Sequence, residues 1–321
     1  MRRAALLILL LLVALAEARP RRPRHPPEPP PDLWQRAIEP NGAIVGKLLA
    51  KAREAMSRVE RGMDAEWAVD QRLAFFRDAY NLMREARRLS PENTEVLALL
   101  GQAADEIGKT SEAIEALEAC IKLQGADKAS PDVTGRLGAL ELRLGHTDAA
   151  IRWLRDAQAT TSLMGNVEWL IYLSTALAQR GEMIAATEVL DRVMPSSIPY
   201  FNPEASMVAF SLAVLYDRDE QRGNAFTVLD RMQGSLNTMY TSQLSQQLAR
   251  FDFIPGEDQH YYLALFYESV GEYIEARAEW ALYAASGDTP WRARALDHIA
   301  AIDGQRRANP TIKPTQIRPP K

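Results

Sequence analysis

Between residues 60 and 304 one pattern recurs: two helical stretches joined at a glycine, with small residues on the second stretch followed four positions later by a large apolar one. Leu97-x-x-Leu100-Gly101-x-x-Ala104 leads to Gly108, Ala113, Leu117 and Cys120, and Leu137-Gly138 leads to Gly145, Ala150, Leu154 and Ala157. Leu170-x-x-Leu173-Ser174-x-x-Leu177 leads to Gly181, Ala186, Leu190 and Val193. Leu212-Ala213-x-x-Tyr216 leads to Ala225, Leu229 and Met232, and Leu263-Ala264-x-x-Tyr267 to Gly271, Ala276, Trp280 and Tyr283. A degenerate earlier copy holds Ala79, Met83, Ala86 and Pro91. A unit of this size cannot bury its apolar face alone, so neighbouring units must stack into one continuous core. Apolar residues keep the helical period, and no alternating run reads as a strand. The pattern therefore predicts an all-α stack of helix pairs.

The pattern resembles the tetratricopeptide repeat, a unit with Leu-Gly and Tyr on the first helix and Ala, Phe, Ala and Pro on the second. The resemblance covers roughly residues 60 to 290 and implies a right-handed superhelical solenoid with capping helices. It further implies a protein-binding scaffold whose concave face, lined by the first helix of each unit, holds a partner segment.

The copies start near residues 94, 131, 167, 206 and 257, so about 15 extra residues separate the last two. This insert, residues 234–255, contains a helical stretch from Tyr240 to Arg250 and predicts a break in regularity. Residues 32–59, punctuated by Pro40-Asn41-Gly42, are read as an N-terminal cap. A C-terminal cap helix is expected over Pro290 to Ile302, with Thr289 as its N-cap.

The two ends have different characters. Met1-Arg2-Arg3 followed by an apolar run from Ala4 to Ala16 has the layout of a secretory signal, cleaved after Ala16 or Ala18. The run is short for a membrane span, and export to the periplasm or cell envelope is expected. Residues 19–31, rich in Pro and Arg, read as an extended linker, and 305–321 as a basic, proline-containing tail. The whole chain carries a formal charge of −4. Without the signal and the two basic arms, the body comes to about −13, with 27 basic and 40 acidic residues. Basic arms on an acidic body suit contact with anionic envelope polymers or a lipid surface. Export and the acidic body together argue against nucleic acid.

No catalytic fingerprint is present. The chain lacks a Gly-x-Ser-x-Gly elbow, a phosphate loop and a dinucleotide motif, and its four histidines are dispersed. No catalytic site, cofactor or metal is therefore expected. The lone Cys120 falls where the repeat takes a small buried residue, and it cannot form an internal disulfide. Trp67, Trp153, Trp169, Trp280 and Trp291 sit within apolar stripes and read as core, whereas His260-Tyr261-Tyr262 is not wholly explained by packing.

By repeat position, the partner face is expected to include Asp105, Asp132, Glu168, Ile171, Phe210, Val214, Asp217, Tyr261 and Leu265. This reads as an apolar floor with acidic edges, suited to a basic or amphipathic segment, although the acids are equally read as solubilising. The lysine and asparagine with which some relatives clamp a C-terminal carboxylate are replaced by Ala98, Gln102 and Glu168, so that mode is not carried over. The resemblance implies envelope machinery for secretion, motility, pili or wall building. Two alternatives stand beside the scaffold: an accessory domain presenting an envelope enzyme, and an enzyme using the cluster from Asp258 to Glu268.

Overall fold

The computed structural model describes residues 40–62, 69–160, 167–194, 203–233, 238–287 and 289–308. The expected signal, the linker 19–31 and most of the basic tail lie outside them. The chain divides into two compact units, Met1–Gly46 and Lys47–Lys321. Of the first, the described part is a turn at Pro40 and Asn41 and the start of helix α1 (Gly42–Gly62).

The second unit continues α1 and adds α2 (Val69–Leu89), α3 (Thr94–Glu106), α4 (Thr110–Gln124), α5 (Pro131–Arg143), α6 (Thr147–Thr160) and α7 (Val167–Gln179). Then follow α8 (Met183–Asp191), α9 (Pro203–Arg218), α10 (Arg222–Gln233), α11 (Thr238–Arg250), α12 (Asp258–Ser269), α13 (Tyr273–Ala285) and α14 (Arg292–Ala308). The described residues contain helices and no strand. The pairs α3/α4, α5/α6, α7/α8, α9/α10 and α12/α13 are the five full repeats, and each packs on the next. The first helices also touch in succession, α3 with α5, α5 with α7, α7 with α9 and α9 with α12.

Local chemistry sets the helix ends. Asn93 caps α3 by accepting from the backbone N–H groups of Glu95 and Val96 at 3.1 and 3.0 Å, satisfying donors that have no partner within the helix. Ser130 caps α5, with Pro131 at its first position. Within a pair, close approach decides which residue fits: a Cβ on Gly101 would lie 2.6 Å from Leu117, and one on Gly138 2.6 Å from Leu154.

The turn inside every repeat is the same two-bond motif. Lys109 N–H donates to Ala104 O while Gly108 N–H donates to Asp105 O, and the pattern returns at 145/146, 181/182, 220/221 and 271/272. This closure requires one residue in the left-handed region. Gly108, Gly145, Gly181 and Gly271 supply it with φ of 77–86°, whereas the fourth copy uses Glu220 at φ 57°. The fourth copy thus has a different residue at this position and keeps the same turn.

Within the described part of the insert, α11 stands between α9 and α12 and touches both, burying Leu244 and Leu248. The C-terminal cap differs from expectation at its start. The helix begins at Arg292, and residues 290 and 291 form a turn in which Arg292 N–H reaches Thr289 O at 3.2 Å. Trp291, Arg294, Ala295 and Ile302 are buried, so α14 extends the core as well as sealing it.

Candidate functional site

The first helices α3, α5 and α7 face the insert across a cleft of about 630 Å3. Its lining includes Asp105 and Glu106 from α3, Arg136 and Arg143 from α5, Glu168, Trp169 and Tyr172 from α7, and Arg250, Phe251 and Asp252 from the end of α11 and beyond. Periodicity puts these side chains on one side, because residues three and four apart share a helix face.

An unbroken ladder of ion pairs crosses this wall. Arg72 donates to Glu106 at 2.9 Å, and Arg136 donates to Glu106 at 3.3 Å and to Asp105 at 2.7 Å. Arg143 donates to Asp105 at 2.7 Å and to Asp252 at 3.2 Å. Asp105, whose side chain is 7% exposed, is thus held between two guanidiniums. Burial raises the pKa of Glu168, with Arg136 pulling against it. Trp169 lies against Gly135, where a Cβ would come within 2.5 Å of the indole ring, and its buried Nε1 has no acceptor. The cleft is therefore charge-balanced and donor-rich. The expected acidic edge is neutralised by Arg72, Arg136 and Arg143, residues that a helical pattern reads as solvated.

The expected partner face divides three ways. Asp105 and Glu168 lie in the cleft, and Asp132 is exposed in the first turn of α5. Ile171, Phe210, Val214, Asp217, Tyr261 and Leu265 are buried, so they offer no surface to a partner. The physical reason is that the stacked first helices contact one another directly, while α11 and α14 cover the C-terminal copies.

Asp217 and Tyr261 belong instead to a buried clamp. Asp217 on α9 accepts from Tyr261 Oη at 2.7 Å, Arg294 Nη2 at 2.5 Å and His298 Nε2 at 3.0 Å. His298 Nδ1 lies 2.8 Å from Glu268 Oε2, which also accepts from Trp280 Nε1 at 3.0 Å, and the imidazole stacks on Trp280 at 4.4 Å. Burial opposes charge on His298, but Asp217 and Glu268 overcome it and raise its pKa to about 9. Burial likewise opposes charge on Asp217, yet its donors hold it below the ordinary carboxylate range. Beside this, Arg218 lies 2.7 Å from Asp258 and 3.8 Å from the Trp291 ring centre. The cluster from Asp258 to Glu268, considered above for catalysis, is thus an interior joint between the last repeats and the cap.

Cys120 is buried, its Sγ 3.3 Å from Thr94 O, and burial raises its pKa. His146 and His260 each meet a carboxylate, Glu141 and Glu279, at 2.7 Å. Among the described residues no group of His, Cys, Asp or Glu is placed to hold a metal ion, and no helix is long and apolar enough to cross a membrane.

Stacked helix pairs with a shared turn and a cleft along their first helices define an all-α repeat solenoid. The tetratricopeptide repeat family model matches residues 94–127, which contain α3 and α4. Among solved structures, PilF of Pseudomonas aeruginosa matches with 11% identity, over 81% of this chain and 99% of that one, at a TM-score of 0.50. A tetratricopeptide repeat protein from Parabacteroides merdae matches with 12% identity over 79% and 99%, at a TM-score of 0.44. PilW, titled a widely conserved type IV pilus biogenesis factor, matches with 14% identity over 76% and 98%, at a TM-score of 0.45. None of the curated protein sequences matches the chain. This chain therefore carries a tetratricopeptide repeat at residues 94–127, within an all-α repeat solenoid.

Proposed function

We propose that the protein is a non-catalytic scaffold that holds a segment of a protein partner in the cleft between α3, α5, α7 and the insert. The observation that carries this is the cleft itself, about 630 Å3 of space bordered by three successive first helices and provided with guanidinium donors. The balance of charge favours a partner segment that brings a carboxylate together with apolar groups, in place of the basic segment expected from the acids alone. The apolar run at residues 4–16 behind Arg2 and Arg3 supports placing this scaffold outside the cytoplasm, in the periplasm or cell envelope.

The test is crosslinking capture from cells, comparing the wild type with Arg72→Glu plus Arg250→Glu, two exposed cleft positions. Helicity is expected to be unchanged and capture of the specific partner to be lost. Capture that survives this pair but disappears when residues 19–31 or 309–321 are deleted assigns binding to the basic arms and ends the cleft reading.

A further inference from the structure

The residues just after α11 reach back across the cleft. Phe251 lies 5.5 Å from the Tyr172 ring, Tyr172 Oη donates to the backbone oxygen of Asp252 at 2.6 Å, and Asp252 pairs with Arg143 at 3.2 Å. All three contacts come from two consecutive residues, an aromatic and a carboxylate. They engage helices α5 and α7, far from the insert in sequence.

Two properties make this an occupant of the cleft and not simply a wall. First, its charged contact is weak: the Asp252 side chain is 72% exposed, and exposed ion pairs contribute little, so the Tyr172 hydrogen bond and the Phe251 ring contact are what an incoming segment has to replace. Second, the segment is anchored elsewhere. Phe253 and Ile254 are buried, with Phe253 4.7 Å from the Tyr262 ring on α12, so Phe251 and Asp252 can leave while their neighbours stay. What they leave unsatisfied also matters, since Trp169 Nε1, beside the same cleft, still has no acceptor. A competitor that supplied one would gain a hydrogen bond the resident segment does not make.

We infer that Phe251 and Asp252 are an internal stand-in for the partner, and that the partner docks through an aromatic residue followed by a carboxylate, replacing them on Tyr172 and Arg143. This rests on the scaffold reading above and adds the chemistry of the partner and the step that admits it. The ladder supports that choice of chemistry: Asp105 and Glu106 already occupy the guanidinium faces toward α3, and the outer nitrogen of Arg143 is the one given to Asp252.

The probe is a labelled peptide with the chain's own sequence over 248–255, Leu-Ala-Arg-Phe-Asp-Phe-Ile-Pro, titrated by fluorescence anisotropy against the full chain. Wild type is compared with Asp252→Ala, an exposed change that leaves the fold intact, and with Phe251→Ser plus Asp252→Ala. Binding is expected to tighten at least roughly tenfold, equivalent to about 1.4 kcal/mol, in the double variant, and by less in the single one. It is expected to disappear when Arg143→Glu is added, or when the peptide's Asp is replaced by Lys. Equal affinity for wild type and both strap variants, no binding to any of them, or binding that survives Arg143→Glu overturns the inference. The scaffold reading is judged separately: a partner captured through Arg72 and Arg250 but indifferent to the strap variants leaves the cleft standing and removes the stand-in.

Discussion

Titrating His298 should loosen the C-terminal end of the solenoid as pH rises. The imidazole is 11% exposed and faces Asp217, Glu268 and the Trp280 ring, with Arg294 bound to the same Asp217 carboxylate, so solvent screens it little. Its ordinary pKa of 6.5 is raised to about 9 in the folded chain, which corresponds to about 3 kcal/mol. For a raised pKa the stabilisation is fully present below 6.5 and is lost as pH climbs to about 9 and beyond. The depressed carboxyl of Asp217 reports the same attraction from the other side, so the two are not added. The assay is urea unfolding of wild type and His298→Gln at about pH 6 and about pH 9.5, followed by Trp fluorescence and far-UV dichroism. With a slope of about 3 kcal/mol/M, the midpoint advantage of wild type over variant should shrink by about 1 M across that window. Other titrating groups cancel in the comparison. An advantage that stays constant with pH, or grows, refutes the assignment of a charged His298 in the clamp.

Three further outcomes follow from the fold. Glu220→Gly should raise stability by about 0.5–1 kcal/mol, because it relieves a left-handed turn residue; a lower thermal midpoint would contradict the shared turn motif. Gly135→Ala should cost about 1–3 kcal/mol and change indole emission, since the added methyl meets the rigid Trp169 ring at 2.5 Å; a neutral result would show that the ring moves freely. The Cys120 thiol, buried and shifted upward by burial, should resist a thiol-reactive dye until the chain is unfolded, as followed by absorbance with and without denaturant. Reaction in the folded chain would show that α4 opens readily.

The sequence made the repeats legible because each rests on local rules. A small residue such as Ala113 opposite Gly101, or Gly108 at a turn, answers to its immediate neighbours, and these recur in register. The candidate site was less legible because it depends on which distant elements meet. Asp217 reads as an acid of the partner face or a solubilising one because Arg294 and His298, 77 and 81 residues further on, cannot be placed beside it from sequence. Phe210 and Tyr261 sit where a concave face belongs in a regular array, and the insert and cap that cover this region are exactly one-off segments with no repeat to read. Arg136 and Arg143 are hard to read for the opposite reason: on a helix, a cation at such a position usually faces water, and here Arg136 of α5 pairs with Asp105 and Glu106 of α3 while Arg143 joins Asp105 to Asp252. The one available signal was their spacing of seven, two turns on a single helix face.

The stretch after α11 also bears on how the chain acquires its structure. In a plain array each unit feels only its neighbours, so unfolding can begin at either end and travel inward. Here Arg143 and Tyr172 meet Asp252 across 109 and 80 positions of sequence, fastening a middle unit to a late one. Such distant closures carry a chain-entropy cost that slows assembly. While Phe251 and Asp252 are seated, these contacts tie the melting of the second and third full repeats to that of the insert, and a partner that displaces them removes that coupling.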